Sequence, residues 1–299
     1  MKVFVTGATG FIGSAIVQEL IRVGHQVLGL TRSDAGAKSL AMAGAQVEVH
    51  RGDLEDLESL RSGAAQSDGV IHTAFIHDFS RFKEVCETDR LAIETLGSAL
   101  AGSHRPLIIT SGTGMGSAGP GQLATEDYVD LKSPIPRVAS ELAGESLASR
   151  GVNVSVVRLP QVHDPVKQGL ITYAVALARE KGVSAYVGEG LNRWPAVHVL
   201  DAARLYRLAL EKHEAGARYH AVAEEGVPVR DIAKVIGRGL KMPVVALSPE
   251  KAPAHFGWLA MFAGLDMPAL SAKTQKKLGW HPNGPGLIAD LEQMQYFAN

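Results

Sequence analysis

The stretch TGATGFIG, residues 6–13, places three glycines at intervals of three between an apolar run and a helical pattern. Gly7 suits a tight turn, Gly10 lets the backbone approach a pyrophosphate, and Gly13 lets a helix close on the preceding strand. The first-turn amides of such a helix lack internal acceptors, and its dipole is positive at that end. The turn therefore predicts a site for the diphosphate of a dinucleotide.

Apolar runs alternate with amphipathic stretches on both sides of this turn, from residue 2 to about residue 157. The runs are VFVT, HQVLGL, AQVEVH, GVIHTAF, PLIITS and NVSVVR. They lack strict polar alternation, which is typical of parallel strands covered by helices on both faces. After the first helical stretch, Gly24 stands where a helix-ending glycine belongs. We expect an α/β fold with a parallel sheet, followed by a smaller appended lobe.

The bulk composition narrows the range of partners. The chain has 299 residues, 46% of them hydrophobic, and a formal net charge of −1. A basic footprint for nucleic acid or for an anionic membrane surface is missing, and we expect neither partner. Cys86, the single cysteine, is predicted to be a buried helical thiol. We expect a cytoplasmic protein, monomeric or homodimeric, that takes a small-molecule substrate.

The end of the second predicted strand indicates which dinucleotide fits. It reads VLGLTRSDAG, with Thr31, Arg32 and Ser33 at the position where an acidic residue would bind the ribose 2′-hydroxyl. An arginine there can pair with a 2′-phosphate, so NADP (as NADPH) is favoured over NAD. After the third strand, Asp53 and Leu54 are predicted to contact the adenine, and Asp53 can also cap the following helix.

Five segments in this order, TGATGFIG, GDLED, VIHTAF, LIITSG and VVRLPQVH, resemble the short-chain dehydrogenase/reductase superfamily. The resemblance is to its extended or atypical branch, which includes NAD(P)-dependent epimerases and dehydratases, and it covers nearly the whole chain. It implies a Rossmann-type doubly wound sheet, with the cofactor domain at residues 1–160 and parts of 190–215. Residues 161–299 then form the smaller C-terminal substrate lobe.

The resemblance also implies a set of site residues. Ser111 matches the serine that holds a substrate oxygen, and Asp89 matches an aspartate of the atypical branch. The loop after the fourth strand and the segment RLPQVH match family segments that contact the cofactor. The predicted cofactor-binding residues are Gly7, Thr9, Gly10, Phe11, Ile12, Gly13, Thr31, Arg32, Ser33, Asp53, Leu54, Thr73, Ala74, Phe75, Ser111, Pro160, Gln161 and Val162.

The catalytic tyrosine and lysine of the family are replaced in this alignment by Arg137 and Glu141. Arginine stays protonated near neutral pH and cannot move a proton as a phenol does. Four residues apart on a helix, Arg137 and Glu141 are expected to form a surface ion pair. Tyr128, in the preceding loop, and His163, after the sixth strand, are the candidate proton donors.

Two further expectations concern histidines and aspartates. His72, His77 and Asp78 suggest a metal site, but His72 should end a buried strand and face away from a partner on a helix, so no metal is expected. Asp201, in HVLDAARL, is expected to cap the helix that follows it.

Two functions remain open at this point. The first is an NADP-dependent oxidoreductase, of reductase or epimerase/dehydratase type, acting on a small carbonyl or hydroxyl compound. The alternative is a catalytically inactive NADP-binding sensor or scaffold, which the missing tyrosine and lysine favour.

Overall fold

The computed structural model describes residues 1–119 and 121–294, and it is built on three sheets. The strands are β1 Lys2–Thr6, β2 Gln26–Thr31, β3 Val47–Arg51, β4 Gly69–His72, β5 Leu107–Gly112, β6 Val154–Leu159, β7 Gln161–His163, β8 Ser184–Val187, β9 Arg193–His198, β10 Arg218–His220, β11 Glu224–Pro228 and β12 Val244–Leu247. The helices are α1 Phe11–Arg22, α2 Asp34–Ala43, α3 Leu57–Ala65, α4 Phe82–Leu100, α5 Val138–Ser149, α6 Gly169–Lys181, α7 Val199–Lys212, α8 Val229–Leu240, α9 Ala252–Phe256, α10 Ala260–Ala263, α11 Ala272–Leu278 and α12 Leu287–Glu292.

The largest sheet has seven parallel strands in the order β10-β6-β5-β4-β1-β2-β3. The strand order reverses beside β1, which pairs with β2 on one side and with β4 on the other. In such sheets a ligand binds outside the carboxyl ends of the strands at the reversal. The predicted Rossmann-type doubly wound sheet is confirmed, and its topology puts the glycine turn at the ligand-binding edge.

Helix α1 forms because its apolar residues recur on one face. Ile16, Val17 and Leu20 are buried against the sheet. The helix ends at Arg22, and Gly24 follows with a φ of +88°, a conformation that glycine adopts without strain. The predicted helix-ending role of Gly24 is confirmed.

Two apolar cores lie on opposite faces of the seven-stranded sheet, and a separate core lies in the second lobe. Helix α7 packs on the same face as α1, together with Tyr219 and Trp280 from later in the chain. The second-lobe core contains α6, α8 and Trp194 of β9. The chain therefore returns to the large sheet after residue 160, which ties the second lobe to it.

The helix that carries Glu141 does not hold the predicted surface ion pair with Arg137. Glu141 is buried and lies 2.7 Å from Nε of Arg158, which is buried as well, and 3.1 Å from Nε of Arg218. The expected pair was wrong because the face of α5 that bears Glu141 packs on β6 and β10, where both arginines lie. A pattern of four-residue spacing does not show which face a helix buries.

Two predicted helix caps were also wrong. Asp53 accepts hydrogen bonds from the amides of Glu55 and Asp56, and it is Asp56 that caps α3. At α7 the cap is His198, whose Nδ1 accepts from the amide of Leu200. The Asp201 carboxylate instead accepts from the amides of Asn283 and Gly284 and so anchors the segment before α12.

Cys86 is buried on α4, as predicted. Burial raises the pKa of its thiol to about 11. Among the described residues, no helix is both long and apolar enough to cross a membrane.

Replacing Glu141 by glutamine tests the buried ion pair. Burial acts to raise the pKa of Glu141, but Arg158 and Arg218 outweigh it and the pKa lies below its usual value. We expect Glu141→Gln to lower the free energy of unfolding by about 3 kcal/mol near pH 7, because Arg158 loses its buried counter-charge. Since the lowered pKa stabilises the fold only while the carboxylate is ionised, the deficit should shrink as the pH falls through about 4.

Urea unfolding at several pH values measures this effect. The matched control is Glu145→Gln, which removes a half-exposed carboxylate from the same helix and from the same Arg218. We expect that control to cost less than about 1 kcal/mol. Equal losses in the two variants would contradict the importance of the buried pair.

Candidate functional site

The glycine turn joins β1 to α1 with very little space between the two. Gly7 has a φ of +70°, and its carbonyl accepts a hydrogen bond of 2.8 Å from the amide of Gly10. A Cβ on residue 13 would lie 2.0 Å from the carbonyl oxygen of Gly7, and one on residue 7 would lie 2.8 Å from the amide nitrogen of Ala74. Both positions therefore require glycine, as the sequence predicts for a dinucleotide turn.

The amino end of α1 is open to a ligand. Its N-cap is Gly10, which supplies no side-chain hydrogen bond, so the amides of Phe11 and Ile12 keep their donor capacity. Lys167 reaches the same end from the loop after β7, with Nζ 5.8 Å from the centre of the Phe11 ring. Amides and a nearby ammonium suit a diphosphate. No local sequence pattern indicates this role for Lys167, because it lies far from the turn in the chain.

The carboxyl end of β2 lies at the position of an adenosine ribose in this topology. Thr31 is buried and Arg32 is exposed, whereas Ser33 caps α2 by accepting a hydrogen bond of 3.0 Å from the amide of Gly36. Arg51 is the register partner of Thr31 on β3 and forms an ion pair with Asp34. Two arginines thus meet at this edge, and the sequence analysis found only Arg32.

The two residues that are predicted to contact the adenine, Asp53 and Leu54, already have contacts within the protein. Asp53 holds the turn before α3 through the two amides described above, and Leu54 is buried in the core. These contacts do not prevent Asp53 or the backbone of Leu54 from also contacting an adenine base.

Ser111 lies at the carboxyl end of β5, next but one to β1 in the sheet. Its side chain is only 3% exposed, and among the described residues its Oγ has no hydrogen-bond partner. Buried hydroxyls are nearly always paired, and an unpaired one at the ligand-binding edge indicates a partner from outside the chain. Ser155 on β6 also has an unpaired Oγ, so it is the position of Ser111 at the carboxyl end of its strand that distinguishes it from an ordinary core serine.

A chain of buried polar side chains runs beneath this edge. His72 Nδ1 lies 2.7 Å from Thr6 Oγ1, and His72 Nε2 lies 3.2 Å from Oδ1 of Asp89 on α4. The other carboxylate oxygen of Asp89 accepts from Arg137 at 2.8 Å and from Ser140 at 2.6 Å. The expectation that His72 faces away from a helix was wrong, because α4 packs directly over the end of β4.

Asp89 is ionised in this setting. Burial acts to raise the pKa of its carboxyl, but the charge of Arg137 and the hydrogen bonds from His72 and Ser140 outweigh burial and lower it. Arg137 also donates to the carbonyl oxygen of Thr110, the residue before Ser111, at 2.8 Å. The guanidinium is thus fixed beside Ser111, at the amino end of α5, by two acceptors on different elements.

The loop after β4 connects this network to the glycine turn. Thr73 Oγ1 donates to the carbonyl oxygen of Thr6 at 2.8 Å, and the amide of Ala74 donates to Thr6 Oγ1 at 3.3 Å. The ring of Phe75 lies under Arg137, and the guanidinium carbon Cζ of Arg137 is 4.2 Å from the centre of that ring. Phe75 is thereby held at the edge where the strand order reverses.

The segment after β6 is largely structural. Gln161 is buried and its Oε1 accepts from the amide of Leu170 at 3.1 Å, and Val162 lies in the core. Pro160 is half-buried between β6 and β7. Of these three predicted cofactor contacts, Pro160 is the one whose surface faces outward.

The two candidate proton donors lie in different environments. The Tyr128 side chain is 37% exposed, and its backbone carbonyl accepts from Arg158 at 2.9 Å. His163 is fully buried, with Nδ1 2.7 Å from Asp290 Oδ2. Burial lowers the pKa of His163 more than Asp290 raises it. His163 is held by Asp290 in the interior, and Tyr128 is the more exposed of the two candidates for proton transfer.

No group of three or more His, Cys, Asp or Glu side chains in residues 1–119 and 121–294 is arranged to hold a metal ion.

The open amino end of α1, the reversal of strand order and the unpaired Ser111 define a dinucleotide-binding α/β protein. The model of the NAD-dependent epimerase/dehydratase family matches residues 3–223. The chain belongs to that family, as its resemblance to the extended short-chain dehydrogenase/reductases implies, and a nicotinamide dinucleotide is the cofactor of the family.

Individual relatives agree with this membership. An uncharacterized protein of Schizosaccharomyces pombe is 49% identical over 298 residues, which is 99% of this chain and 100% of the relative. A UDP-glucose 4-epimerase of Streptomyces lividans is 26% identical over 94% of this chain and 92% of its own length. The structure of a dTDP-glucose 4,6-dehydratase of Streptomyces venezuelae matches 98% of this chain and 96% of that chain, with a TM-score of 0.78 and 20% identity, and shows the shared fold.

Gly13→Ala tests the glycine turn. The added methyl would strike the Gly7 carbonyl, so we expect the free energy of unfolding to fall by about 1–3 kcal/mol. The added methyl also pushes the glycine turn apart and so displaces the amides at the amino end of α1. We therefore expect the Kd for the nicotinamide dinucleotide to rise by at least about tenfold. Calorimetric titration and urea unfolding measure the two effects. Gln18→Ala, on the exposed face of the same helix, is the control and should change neither.

Proposed function

We propose that this protein is an NADP(H)-dependent oxidoreductase that interconverts a small carbonyl compound and its alcohol, by simple reduction or within an epimerase/dehydratase type of reaction. Residues 1–160, with parts of 190–215, hold the cofactor in this proposal, and residues 161–299 cover the substrate. The observation that carries it is the unpaired, buried Ser111 hydroxyl at the same sheet edge as the open amino end of α1.

The preference for NADP rests on the end of β2. An acidic residue is absent from positions 31–33, and Arg32 is exposed there. Asp34, the first acid, is already paired with Arg51, so the local charge is cationic. A 2′-phosphate is favoured by the exposed Arg32 guanidinium, whereas a ribose 2′-hydroxyl gains little from it.

Arg32→Ala tests this preference. We expect the Kd for NADPH to rise by about tenfold, because one charge-assisted phosphate contact is lost, while the Kd for NADH changes by less than about twofold. Titration calorimetry with each coenzyme gives both values. Arg22→Ala, which removes an exposed arginine at the other end of α1, is the matched control. Equal loss of NADPH and NADH affinity would contradict the assignment of Arg32.

The chain's own residues bind and orient the substrate. When bound, the reduced nicotinamide supplies a hydride to the carbonyl carbon, and the products are NADP⁺ and the alcohol once the oxygen has gained a proton. The Ser111 hydroxyl donates to the substrate oxygen. Arg137, fixed by Asp89 and Thr110, places a permanent positive charge beside it that favours negative charge on that oxygen. Tyr128 is the proposed proton donor.

Ser111→Ala and Tyr128→Phe separate these roles. Ser111→Ala should lower kcat/KM by about 100-fold. The same change should leave the melting temperature unchanged or raised, because its hydroxyl has no partner in the protein. Tyr128→Phe should lower kcat by at least about 100-fold if the phenol transfers the proton. Tyr186→Phe, on β8, is the control, and activity that survives Tyr128→Phe would remove Tyr128 from the mechanism.

A second candidate function is an inactive NADP-binding sensor or scaffold. It is favoured by one observation, which is that Arg137 and Glu141 are both engaged in charged hydrogen bonds and neither can exchange a proton near neutral pH. NADPH binding without turnover on any carbonyl compound would select it. In either form we propose a cytoplasmic protein, monomeric or homodimeric.

A further inference from the structure

Five aromatic side chains form a continuous row, which we call the aromatic row: Phe75, His77, Phe79, Tyr173 and Trp258. Neighbouring ring centres in the first half of the row are 5.5 Å apart from Phe75 to His77 and 6.2 Å apart from His77 to Phe79. Phe79 then stacks on Trp258, with ring centres 4.4 Å apart and planes inclined by 6°. Tyr173 meets Trp258 edge to face at 5.1 Å.

The aromatic row joins the two lobes. Phe75, His77 and Phe79 come from the segment after β4, at the ligand-binding edge of the large sheet. Tyr173 lies on α6, and Trp258 lies in the short helical turn Gly257–Leu259, both in the second lobe. Tyr173 and Trp258 are 41% and 37% exposed. Large rings that stay this exposed on the second-lobe side of the junction indicate a surface that receives an apolar ligand.

The inner end of the aromatic row lies beside the proposed reaction centre. Arg137 contacts the face of Phe75 and also donates to Thr110, which precedes Ser111. A substrate whose oxygen lies at Ser111 therefore has the aromatic row as the next surface in the direction of the second lobe.

The cations around the row are already engaged elsewhere, since Arg137 is held by Asp89 and Lys167 lies at the amino end of α1. Arg193, on the strand β9 of the second lobe, is held by Asp266 through two hydrogen bonds of 3.0 and 2.8 Å. Burial, together with the charges of Lys167 and Arg137, lowers the pKa of His77 below its usual value. The lowered pKa disfavours a charge on the His77 ring, and the other four side chains of the row are a tyrosine, a tryptophan and two phenylalanines, so the surface is mostly apolar.

We propose that the aromatic row binds a planar, apolar carbonyl compound, with its ring system against Phe79 and Trp258 and its carbonyl directed to Ser111. This inference rests on the proposed oxidoreductase function and names its substrate class. Flat rings gain most from offset stacking and edge-to-face contacts with such side chains, whereas a saturated ring or a nucleotide sugar gains little. Phe79 and Trp258 are then the residues that determine substrate specificity.

The first experiment measures reduction by NADPH of 2-naphthaldehyde, which is planar, and of cyclohexanecarboxaldehyde, which is an apolar aldehyde without a flat ring. We expect a KM at least about tenfold lower for 2-naphthaldehyde. In Trp258→Ala and in Phe79→Ala this KM should rise by about tenfold with kcat little changed, because binding of substrate and transition state is weakened equally. The KM for cyclohexanecarboxaldehyde should change by less than about twofold.

Two further variants separate recognition from folding. Trp258→Phe keeps an aromatic ring at this position and should restore most of the low KM for 2-naphthaldehyde. Met261→Ala removes an exposed apolar side chain from the neighbouring helix α10 and should change no parameter. An effect of equal size in Met261→Ala, or a rise in KM that is the same for both aldehydes, would overturn the proposal.

A binding experiment does not depend on turnover. Calorimetric titration of the NADP⁺-bound protein with 2-naphthol should show one saturable site that is weakened about tenfold in Trp258→Ala, recovered in Trp258→Phe and not displaced by UDP-glucose. If NADPH binds but 2-naphthol does not, or if UDP-glucose displaces it, the aromatic substrate class is wrong and the oxidoreductase proposal stands. If neither coenzyme binds, the oxidoreductase proposal fails, and the substrate class fails with it.

Discussion

The carbonyl oxygen of Gly7 lies 2.0 Å from where a Cβ of residue 13 would be, and the rest of the structure depends on this close approach. With a side chain at position 13, α1 could not close on β1 at this distance. Because it does close, the amides at its amino end are held at the edge of the sheet, beside the reversal of strand order. The same edge then collects Ser111 from β5 and Arg32 from β2, since parallel strands end together.

The parts of the molecule that follow from local pattern were predictable from the sequence. The tight glycine turn, the end of α1 at Gly24 and the buried thiol of Cys86 each depend on a few neighbouring residues. The positions of Lys167 and Arg51 were not predictable in this way. Each reaches the cofactor edge from another part of the chain, and a single exposed cation carries no signal of where the fold will place it.

Two of the errors have a common physical origin, which is the pairing of buried polar side chains across elements. His72 was expected to avoid a helical partner, and Glu141 was expected to face solvent, yet each pairs with a residue 17 positions away. Burying one such group alone is unfavourable, so helix packing and charge pairing must be established together. A sequence pattern shows the charge but not the counter-charge, and periodicity on α5 therefore gave the wrong exposure for Glu141.

Arg137 and Glu141 stand where the family resemblance implies a titratable tyrosine and lysine, and their charges determine what this edge of the sheet can do. A phenol and an amine exchange protons, whereas a guanidinium held by an ionised Asp89 supplies a charge that stays constant over the physiological range. Such a fixed charge stabilises an oxygen anion as it forms but cannot protonate it, so transfer of the proton has to come from a mobile group such as Tyr128 or from water. The fixed charge of Arg137 and the proposed proton donor Tyr128 thus lie on different segments, the amino end of α5 and the loop before it. Because the two groups are separate, this edge of the sheet can bind cofactor and substrate even where proton transfer is slow. The rate of proton transfer relative to the rate of ligand dissociation then determines whether the protein turns over its ligand or only binds it.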